Sequence, residues 1–249
     1  FSDLQQRLNR KTVTARMLED YPAFVRAYDV LFDGDGDVRP EGFSARRARL
    51  GAIIERAPHD RFDLSPLVPF ASWEELGEIR RDPPDPVIEG VMLKRLDSPY
   101  QAGRMKGPWF KWKRDPFNID AVMMYAQRGH GKRSSYYSDF TFGVWTDGPE
   151  GPMLVPVGKA YFGFTDAELD VLDRYVRNNT TDRFGPVRAV RAEPGYGFVL
   201  EVAFEGINRS TRHKSGVAMR FPRIARLRQD KLPADADRLE TLMAMVEAK

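Results

Sequence analysis

Apolar side chains recur every three or four positions in three stretches of the first half of the chain, which is the period of an amphipathic helix. Helices are therefore predicted at residues 2–16, 41–56 and 73–81. In the second helix the arginines, including Arg46 and Arg47, are expected on the solvated face. Residues 22–33 are rich in aromatic and β-branched side chains. They predict a buried strand that ends at a turn of alternating glycine and aspartate.

The pattern changes after Asp115 and Pro116 to short runs of strand type, separated by glycine, proline and polar turns. Strands are predicted at residues 119–125, 140–146, 154–157, 187–191, 198–204 and 217–221. One helix interrupts them at residues 166–177, with Thr165 and Glu168 as a capping box. A second amphipathic helix is predicted at residues 234–248. The fold class is α+β, and many short strands around one helix are typical of a small barrel such as the OB-fold.

Composition excludes several classes of function. The 249 residues contain no cysteine, which excludes disulfides, thiolate catalysis and zinc–cysteine sites. A net charge of +3 suits a nucleic-acid or nucleotide partner. There is no signal peptide and no membrane-length apolar run, so we expect a soluble, cytoplasmic, monomeric protein without a membrane partner. Because the first residue is Phe1 rather than methionine, we also expect that the chain is part of a longer protein.

Candidate phosphate chemistry is concentrated between residues 89 and 115. Glu89 ends an apolar run, Lys94 follows five positions later, and Lys111 and Lys113 alternate with aromatic residues. Alternate residues of a strand share a face, so the two ammonium groups would lie side by side, with the aromatic side chains opposite. Their repulsion, roughly 1 kcal/mol, favours an anion between them, such as a nucleoside triphosphate or a phosphodiester. The alternative is a basic edge strand on a solvated face.

A second basic cluster occupies residues 219–231. Its charged members are Arg220, Arg223, Arg226, Arg228, Asp230 and Lys231. A cluster this dense repels itself unless it meets phosphate or is dispersed in solvent, and the planar fork of arginine matches phosphate geometry. The alternative is a basic tail on an unrelated barrel.

Two further loops are candidates for contact with DNA, because basic residues near aromatic ones suit a phosphate backbone. The first loop covers residues 128–137 and the second covers residues 209–214. Their basic candidates are Lys132 and Arg133 in the first loop, and Arg209, Arg212 and Lys214 in the second. A solvated turn explains either loop, taken alone, about equally well.

These motifs resemble those of ATP-dependent DNA ligases. The run E-G-V-M-L-K from Glu89 to Lys94 is similar to the family's fourth motif, and K-W-K from Lys111 to Lys113 is similar to its fifth. Residues 220–231 resemble the sixth motif, R-x-P-R-x-x-R-x-R-x-D-K, which mRNA-capping enzymes share. The segment that leads into it resembles DNA ligases instead of capping enzymes. The resemblance runs from the first helix through the sixth motif, and bacterial ligases are the most similar.

The resemblance implies the C-terminal part of an adenylation (nucleotidyltransferase) domain at residues 1–115. An OB-fold β-barrel with a C-terminal helix would follow at residues 116–249. It implies ATP and Mg²⁺ as cofactors and nicked duplex DNA as the partner. The nick would be sealed through lysyl-AMP and DNA-adenylate intermediates, in DNA repair, recombination or replication.

The resemblance also implies a role for each matching residue. Tyr28 would pack on the adenine base, Glu89 would help to place the metal, and Lys94 would support the nucleotide. The α-phosphate would be bound by Lys111 and Lys113. Catalytic and nucleotide-orienting roles on the OB side would fall to Arg220, Arg223, Asp230 and Lys231.

The family's nucleophile is the lysine of a K-x-D-G motif, and this motif is absent from the sequence. The arginine and D-G-E motifs that normally follow it are absent as well. We therefore expect the parent protein to seal nicks, and this chain alone to be unable to adenylate itself. Two alternatives are a capping-enzyme or RNA-ligase-like nucleotidyltransferase and a non-catalytic nucleic-acid-binding module. The module would bind DNA in a salt-dependent way, without any effect of ATP or magnesium.

Overall fold

The structure is a computed structural model that describes residues 2–85 and 88–247. The chain divides into two compact units, Phe1–Arg114 and Asp115–Lys249. In the part of the chain that the structure describes, no helix is long and apolar enough to cross a membrane.

In its described part, residues 2–85 and 88–114, the first unit combines four helices with three small sheets. Its helices are α1 (Ser2–Arg7), α2 (Ala15–Asp20), α3 (Phe43–Ile54) and α4 (Trp73–Arg81). Its strands are β1 (Val25–Ala27), β2 (Phe32–Asp33), β3 (Gly36–Asp37), β4 (Phe62–Leu64), β5 (Gly90–Lys94) and β6 (Trp109–Lys113). The pairs are β1–β4, which is parallel, and β2–β3 and β5–β6, which are antiparallel.

Two of the elements predicted for this unit need correction. The helix expected at residues 2–16 is α1 and the start of α2, separated by a break. The buried strand expected at residues 22–33 is instead the two short strands β1 and β2. Phe24 and Phe32 are half exposed, and Val30 is the buried member of the stretch. Val30 packs with Val38 and Leu50, so the local core is built by α3 and not by a continuous strand.

The prediction that Arg46 lies on a solvated face is wrong. Its side chain in α3 is fully buried, and its guanidinium donates to both carboxylate oxygens of Asp29, at 2.9 and 3.1 Å. It also donates to the carbonyl oxygens of Ser98, at 3.0 Å, and of Glu41. Arg47 is partly buried and donates to the carbonyl oxygen of Ser65 at 2.6 Å. Arg46 is buried because it is paired and its donors are satisfied, which is the condition under which a buried charge is tolerated.

Over residues 115–247, the second unit is built on an antiparallel sheet with two helices. Its strands are β7 (Phe117–Arg128), β8 (Tyr137–Gly148), β9 (Gly151–Ala160), β10 (Thr180–Phe184), β11 (Val187–Val190), β12 (Val199–Phe204), β13 (Gly206–Arg209), β14 (Val217–Arg220) and β15 (Arg223–Leu227). Its helices are α5 (Asp166–Asn179) and α6 (Leu239–Glu247). The order β10-β11-β7-β12-β15 runs through the main sheet, with β8 and β9 continuing from β7, while β13 and β14 pair separately.

Strand β7 organises this unit because it pairs with three others. Along one edge it pairs first with β12 and then with β11, and along the other edge it pairs with β8. The inward residues of these strands form one core with the apolar stripe of α5 and with Leu242 of α6. The capping box of α5 is confirmed. The Thr165 hydroxyl accepts from the Glu168 amide at 3.2 Å, and the Glu168 carboxylate accepts from the Thr165 amide at 2.7 Å.

The six predicted strands of this unit are confirmed in β7, β8, β9, β11, β12 and β14. Sequence reasoning missed β10, β13 and β15, which are short and rich in arginine or polar residues. The terminal helix begins later than predicted, at Leu239, because Pro233–Asp235 forms a separate 3-10 turn. The last predicted residue of that helix, at position 248, lies outside the described residues.

Candidate functional site

The β5–β6 pair places three of the predicted lysines on one face. Its register opposes Met92 to Lys111 and Lys94 to Trp109, and residues paired in this way share a face. Lys113 is two positions from Lys111 and therefore lies on the same face, as the alternation predicted. Both of these lysines are exposed. Trp109 departs from the expectation, since it shares the lysine face instead of packing opposite.

Gly90 allows this close pairing. Its φ is +149°, and a Cβ on it would lie 2.3 Å from the carbonyl oxygen of Trp112. No other residue fits that backbone without displacing β6. Gly90 therefore lets β5 approach Lys113 closely, and Lys113 is its direct partner in the register.

Glu89 lies beside Lys113. The ammonium and carboxylate are 3.3 Å apart, and both side chains are partly exposed. The carbonyl oxygen of Glu89 also accepts from the Arg114 amide at 2.8 Å, which ties the carboxylate to the end of β6. The repulsion between Lys111 and Lys113 is thus partly relieved by a carboxylate.

Lys94 is held by three aromatic rings. Its Nζ lies 4.4 Å from the ring centre of Trp109, 4.5 Å from that of Phe43 and 5.0 Å from that of Tyr28. Such cation–π contacts are worth about 0.5–2 kcal/mol each. Burial lowers the pKa of Lys94, while the charge of Asp29 raises it. Tyr28 remains 64% exposed, so most of its ring is available to a further flat group.

The carboxylate of Glu89 adjoins this face and is the candidate ligand for a divalent metal. Among residues 2–85 and 88–247 there is no group of three or more histidine, aspartate or glutamate side chains that could hold an ion. Mg²⁺ is commonly bound by one or two carboxylates together with substrate phosphates and water. Glu89 alone therefore fits a magnesium ion that arrives with a nucleotide.

The sixth-motif residues lie on β14, β15 and the segment after them, and carboxylates neutralise most of them. Arg223 pairs with Glu205 at 3.0 Å and Arg226 pairs with Glu201 at 3.2 Å. Arg228 pairs with Asp120 and with Asp230, both at 2.9 Å, and Lys231 reaches Asp120 at 2.7 Å. The expectation that this cluster repels itself unless it meets phosphate or solvent is therefore wrong.

Sequence reasoning missed three carboxylates that neutralise this segment from outside it: Asp120, Glu201 and Glu205. Asp120 and Glu201 are register partners on β7 and β12, and Glu201 is in turn the partner of Arg226 on β15. Two carboxylates directly opposite one another would be destabilising without cations nearby. The available signal was the acidic residue in the middle of each apolar strand run. Asp120 interrupts residues 117–124 in this way, and Glu201 interrupts residues 198–204.

The remaining candidates lie in exposed parts of the second unit. The guanidinium of Arg220 lies 5.2 Å from the ring of Phe221, which occupies the turn between β14 and β15 at a φ of +52°. Lys132 and Arg133 belong to a short 3-10 turn, where Arg133 packs over the ring of Phe164 at 5.2 Å. The second loop presents three exposed cations: Arg209, Arg212 and Lys214.

Two family models match the chain in succession. The model described as "ATP dependent DNA ligase domain" matches residues 1–113, and "ATP dependent DNA ligase C terminal region" matches residues 133–231. The chain belongs to the ATP-dependent DNA ligase family. The first match contains the whole lysine face of β5 and β6, and the second ends at the last residue of the sixth motif. The family resemblance carried by the motifs is thus confirmed.

Relatives in this ligase family match over nearly the whole chain. A probable DNA ligase of Koribacter versatilis is 35% identical over 261 residues, which cover 96% of the chain and 44% of the relative. DNA ligase 1 of Korarchaeum cryptofilum is 33% identical over 248 residues, which cover 99% of the chain and 44% of the relative. The chain therefore spans less than half the length of these two ligases.

Solved structures confirm the α+β fold class. A structure from a study of Lig E DNA ligases aligns with a TM-score of 0.54 and 20% identity, and covers 82% of the chain and 63% of its own. A structure named Pmar-Lig_PreS3 aligns with a TM-score of 0.64 and 15% identity, and covers 92% of the chain and 48% of its own. At these identities the likeness concerns the fold, which is a mixed α/β chain with a large antiparallel sheet.

Asp230 in this ligase-family chain offers a direct test of the ion pairs. Hydrogen bonds from Arg228 lower the pKa of the Asp230 carboxyl from 3.8 to about 2. A carboxyl whose pKa is lower in the folded state stabilises the fold above its unfolded pKa. That contribution is lost as the pH falls from about 4 towards 2. We expect carbon-detected NMR titration to give a pKa of about 2 for Asp230.

The substitution Arg228→Gln should move that pKa back towards the ordinary value of 3.8. The matched control is Arg238→Gln, which removes a partly exposed arginine paired with Asp147. It should leave the titration of Asp230 unchanged. An ordinary pKa for Asp230 in the unaltered chain would contradict the ion-pair assignment.

Proposed function

We propose that the chain supplies part of the nucleotide site and the OB domain of an ATP-dependent DNA ligase that seals nicks in duplex DNA. The observation that carries this proposal is the β5–β6 face, where Lys94, Lys111 and Lys113 lie together and Glu89 adjoins Lys113. We place the boundary between the adenylation part and the OB domain at residues 115 and 116. This position is one residue from the division between the two compact units.

On this proposal, each group on the lysine face has one task. Lys111 and Lys113 bind the α-phosphate and stabilise the negative charge that develops there when AMP is transferred. The exposed ring of Tyr28 stacks on adenine, and Lys94 holds that ring from its other side. Mg²⁺, when bound with the nucleotide beside Glu89, would neutralise charge on the departing pyrophosphate. The nick is then sealed through lysyl-AMP and DNA-adenylate intermediates.

The sixth-motif residues of the OB domain are assigned to the first step of the reaction. Arg220, Arg223, Asp230 and Lys231 would orient the pyrophosphate of ATP during the first step. Arg223 and Lys231 would have to exchange their carboxylate partners, Glu205 and Asp120, for phosphate oxygens. Arg223 and Lys231 would therefore act on ATP only after Glu205 and Asp120 have been displaced from them.

The nucleophile of the first step is not proposed for any residue of this chain, because the sequence contains no K-x-D-G. We expect the 249-residue chain alone to retain no label from α-labelled ATP. A non-catalytic nucleic-acid-binding module remains the rival function, and a test that separates the two must add a segment that carries K-x-D-G.

A chimera tests the proposal. The region of the Koribacter versatilis relative that matches this chain is replaced by the chain itself, and sealing of a nicked duplex is measured with ATP and Mg²⁺. We expect ligated product, with the intact relative as the positive control and the relative without this region as the negative control. A folded chimera that binds nicked DNA without sealing it would favour the binding module. Label retained by the chain alone would contradict the assignment of the nucleophile.

A further inference from the structure

One oxygen atom on β7 holds two cations of the sixth motif. The Oδ2 atom of Asp120 accepts from the Arg228 guanidinium at 2.9 Å and from the Lys231 ammonium at 2.7 Å. The other oxygen of the same carboxylate also accepts from the Arg228 guanidinium, at 3.1 Å. Arginine and lysine bind phosphate through the same kind of charged hydrogen bond. The Asp120 carboxylate therefore occupies a position on the two cations that suits a phosphate oxygen.

The turn after β15 brings these two cations together. The Arg228 amide donates to the Val199 carbonyl oxygen of β12 at 2.9 Å, which keeps Arg228 beside the sheet. The chain then turns, and the Lys231 amide donates to the Arg228 carbonyl oxygen at 3.3 Å. The two side chains therefore start close together and reach one carboxylate on another strand.

Asp120 is itself firmly placed. Its register partner on β12 is Glu201. Its amide donates to the Asp237 carboxylate, and its carbonyl oxygen accepts from the Asp237 amide, both at 2.8 Å. Its side chain is 12% exposed. Because the backbone of Asp120 is held by a strand and by the segment before α6, its carboxylate determines where the two cations lie.

Neutralisation alone does not explain this arrangement. Arg228 already pairs with Asp230 at 2.9 Å, and it lies 3.8 Å from Glu201. Its charge is therefore compensated without Asp120. What Asp120 adds is a point of contact that Arg228 shares with Lys231, and this shared point sets the separation of the two cations.

We propose that Asp120 is a positioning residue for the first step of the ligase reaction. Before ATP binds, it holds the guanidinium of Arg228 and the ammonium of Lys231 around one point, and a phosphate oxygen then replaces its Oδ2 there. Cations that are already ordered lose less entropy when they bind, and they meet the pyrophosphate in the required arrangement. The proposal rests on the proposed function, which assigns Lys231 to ATP, and it gives a task to a carboxylate outside the sixth motif.

The test compares two steps in the chimera with the Koribacter versatilis relative. The first step is measured as the rate at which the protein takes up AMP from α-labelled ATP at saturating concentration. The last step is measured as the sealing of a nick that already carries the DNA-adenylate. We expect Asp120→Ala to slow the first step by about 100-fold, the cost of displacing a reacting or binding group by about 1 Å. The last step should be unchanged, because no pyrophosphate takes part in it.

Two further variants separate positioning from a structural role. Asp120→Asn keeps an oxygen that accepts from Arg228 and Lys231, so it should recover most of the rate that Asp120→Ala loses. The matched control is Asp173→Ala. Asp173 is a buried carboxylate of the same unit that pairs with Arg177 at 2.6 Å. Its removal should lower the melting temperature without slowing the first step relative to the last.

Circular dichroism and thermal melting establish that each variant is folded. If Asp120→Ala takes up AMP at the rate of the unaltered chimera, the inference is overturned while the proposed function stands. Equal losses in both steps would overturn it as well, since they indicate a structural role, and so would an Asp120→Asn variant as slow as Asp120→Ala. If the unaltered chimera takes up no AMP from ATP, the proposed function fails and the inference fails with it.

Discussion

Replacing Lys111 with alanine in the ligase chimera should lower nick sealing by about 100- to 1,000-fold, the usual loss when one preorganised charge donor is removed from a reacting centre. Lys111 lies at the middle of β6, with its ammonium exposed on the lysine face. On the proposed function, it stabilises charge at the α-phosphate in the transition state. The measurement is single-turnover sealing of a nicked duplex under saturating ATP.

The matched control for this substitution is Lys106→Ala. Lys106 is an exposed lysine in the loop that connects β5 to β6. Each of the two substitutions removes one lysine, so the two variants have the same net charge. It should seal at nearly the rate of the unaltered chimera. A second substrate, a nick that already carries the DNA-adenylate, separates the last step from the earlier ones. Equal rates for the Lys111 and Lys106 variants on both substrates would remove Lys111 from the catalytic groups.

The second large effect concerns stability. Replacing Arg46 with methionine leaves Asp29 buried without its cation, and breaking a buried ion pair in this way costs about 3–5 kcal/mol. The side chains of Arg46 and Asp29 are 0% and 4% exposed, and the same guanidinium holds the carbonyl oxygens of two other segments. We expect the first unit to unfold at a much lower urea concentration. Tryptophan fluorescence reports on it, since three of the four tryptophans are in this unit.

Arg49→Met is the matched control, because Arg49 is on the same helix, is 45% exposed and pairs with Glu41 at 3.0 Å. An exposed pair of this kind is worth about 0–1 kcal/mol. The double variant Asp29→Asn/Arg46→Met removes the stranded charge and should recover part of the lost stability. If the Arg46 variant were no less stable than the Arg49 variant, the buried pair would not be the link between Asp29 and α3.

Local patterns predicted the elements whose causes are local. The capping box at Thr165 and the alternation of Lys111 with Lys113 both depend on residues two or three positions apart, and both appear in the structure. The family was also evident from short motifs. Strand β15 was not predicted, because its mixture of arginines and apolar residues looks like a basic tail unless the strand beside it is known.

The errors came from partners that are distant in sequence. Arg46 was expected in solvent because a charged residue on an amphipathic helix usually is. Its partners are Asp29, 17 positions away, and Ser98, 52 positions away. In the same way, Lys231 is neutralised by Asp120, 111 positions earlier. Helical and strand periodicity describe which face a residue occupies, but they do not describe what the rest of the chain places against that face.

Ion pairs make four cations of the sixth motif exchange sites: Arg223, Arg226, Arg228 and Lys231. An anion that takes the place of Glu205 on Arg223 gains the difference between two ion pairs instead of the whole of one. Chloride or inorganic phosphate, which offers few contacts, gains little from that exchange. A polyphosphate chain can displace several carboxylates in a single binding event, and its contacts reinforce one another. On the proposed function, the segment would therefore favour a polyphosphate chain over small anions.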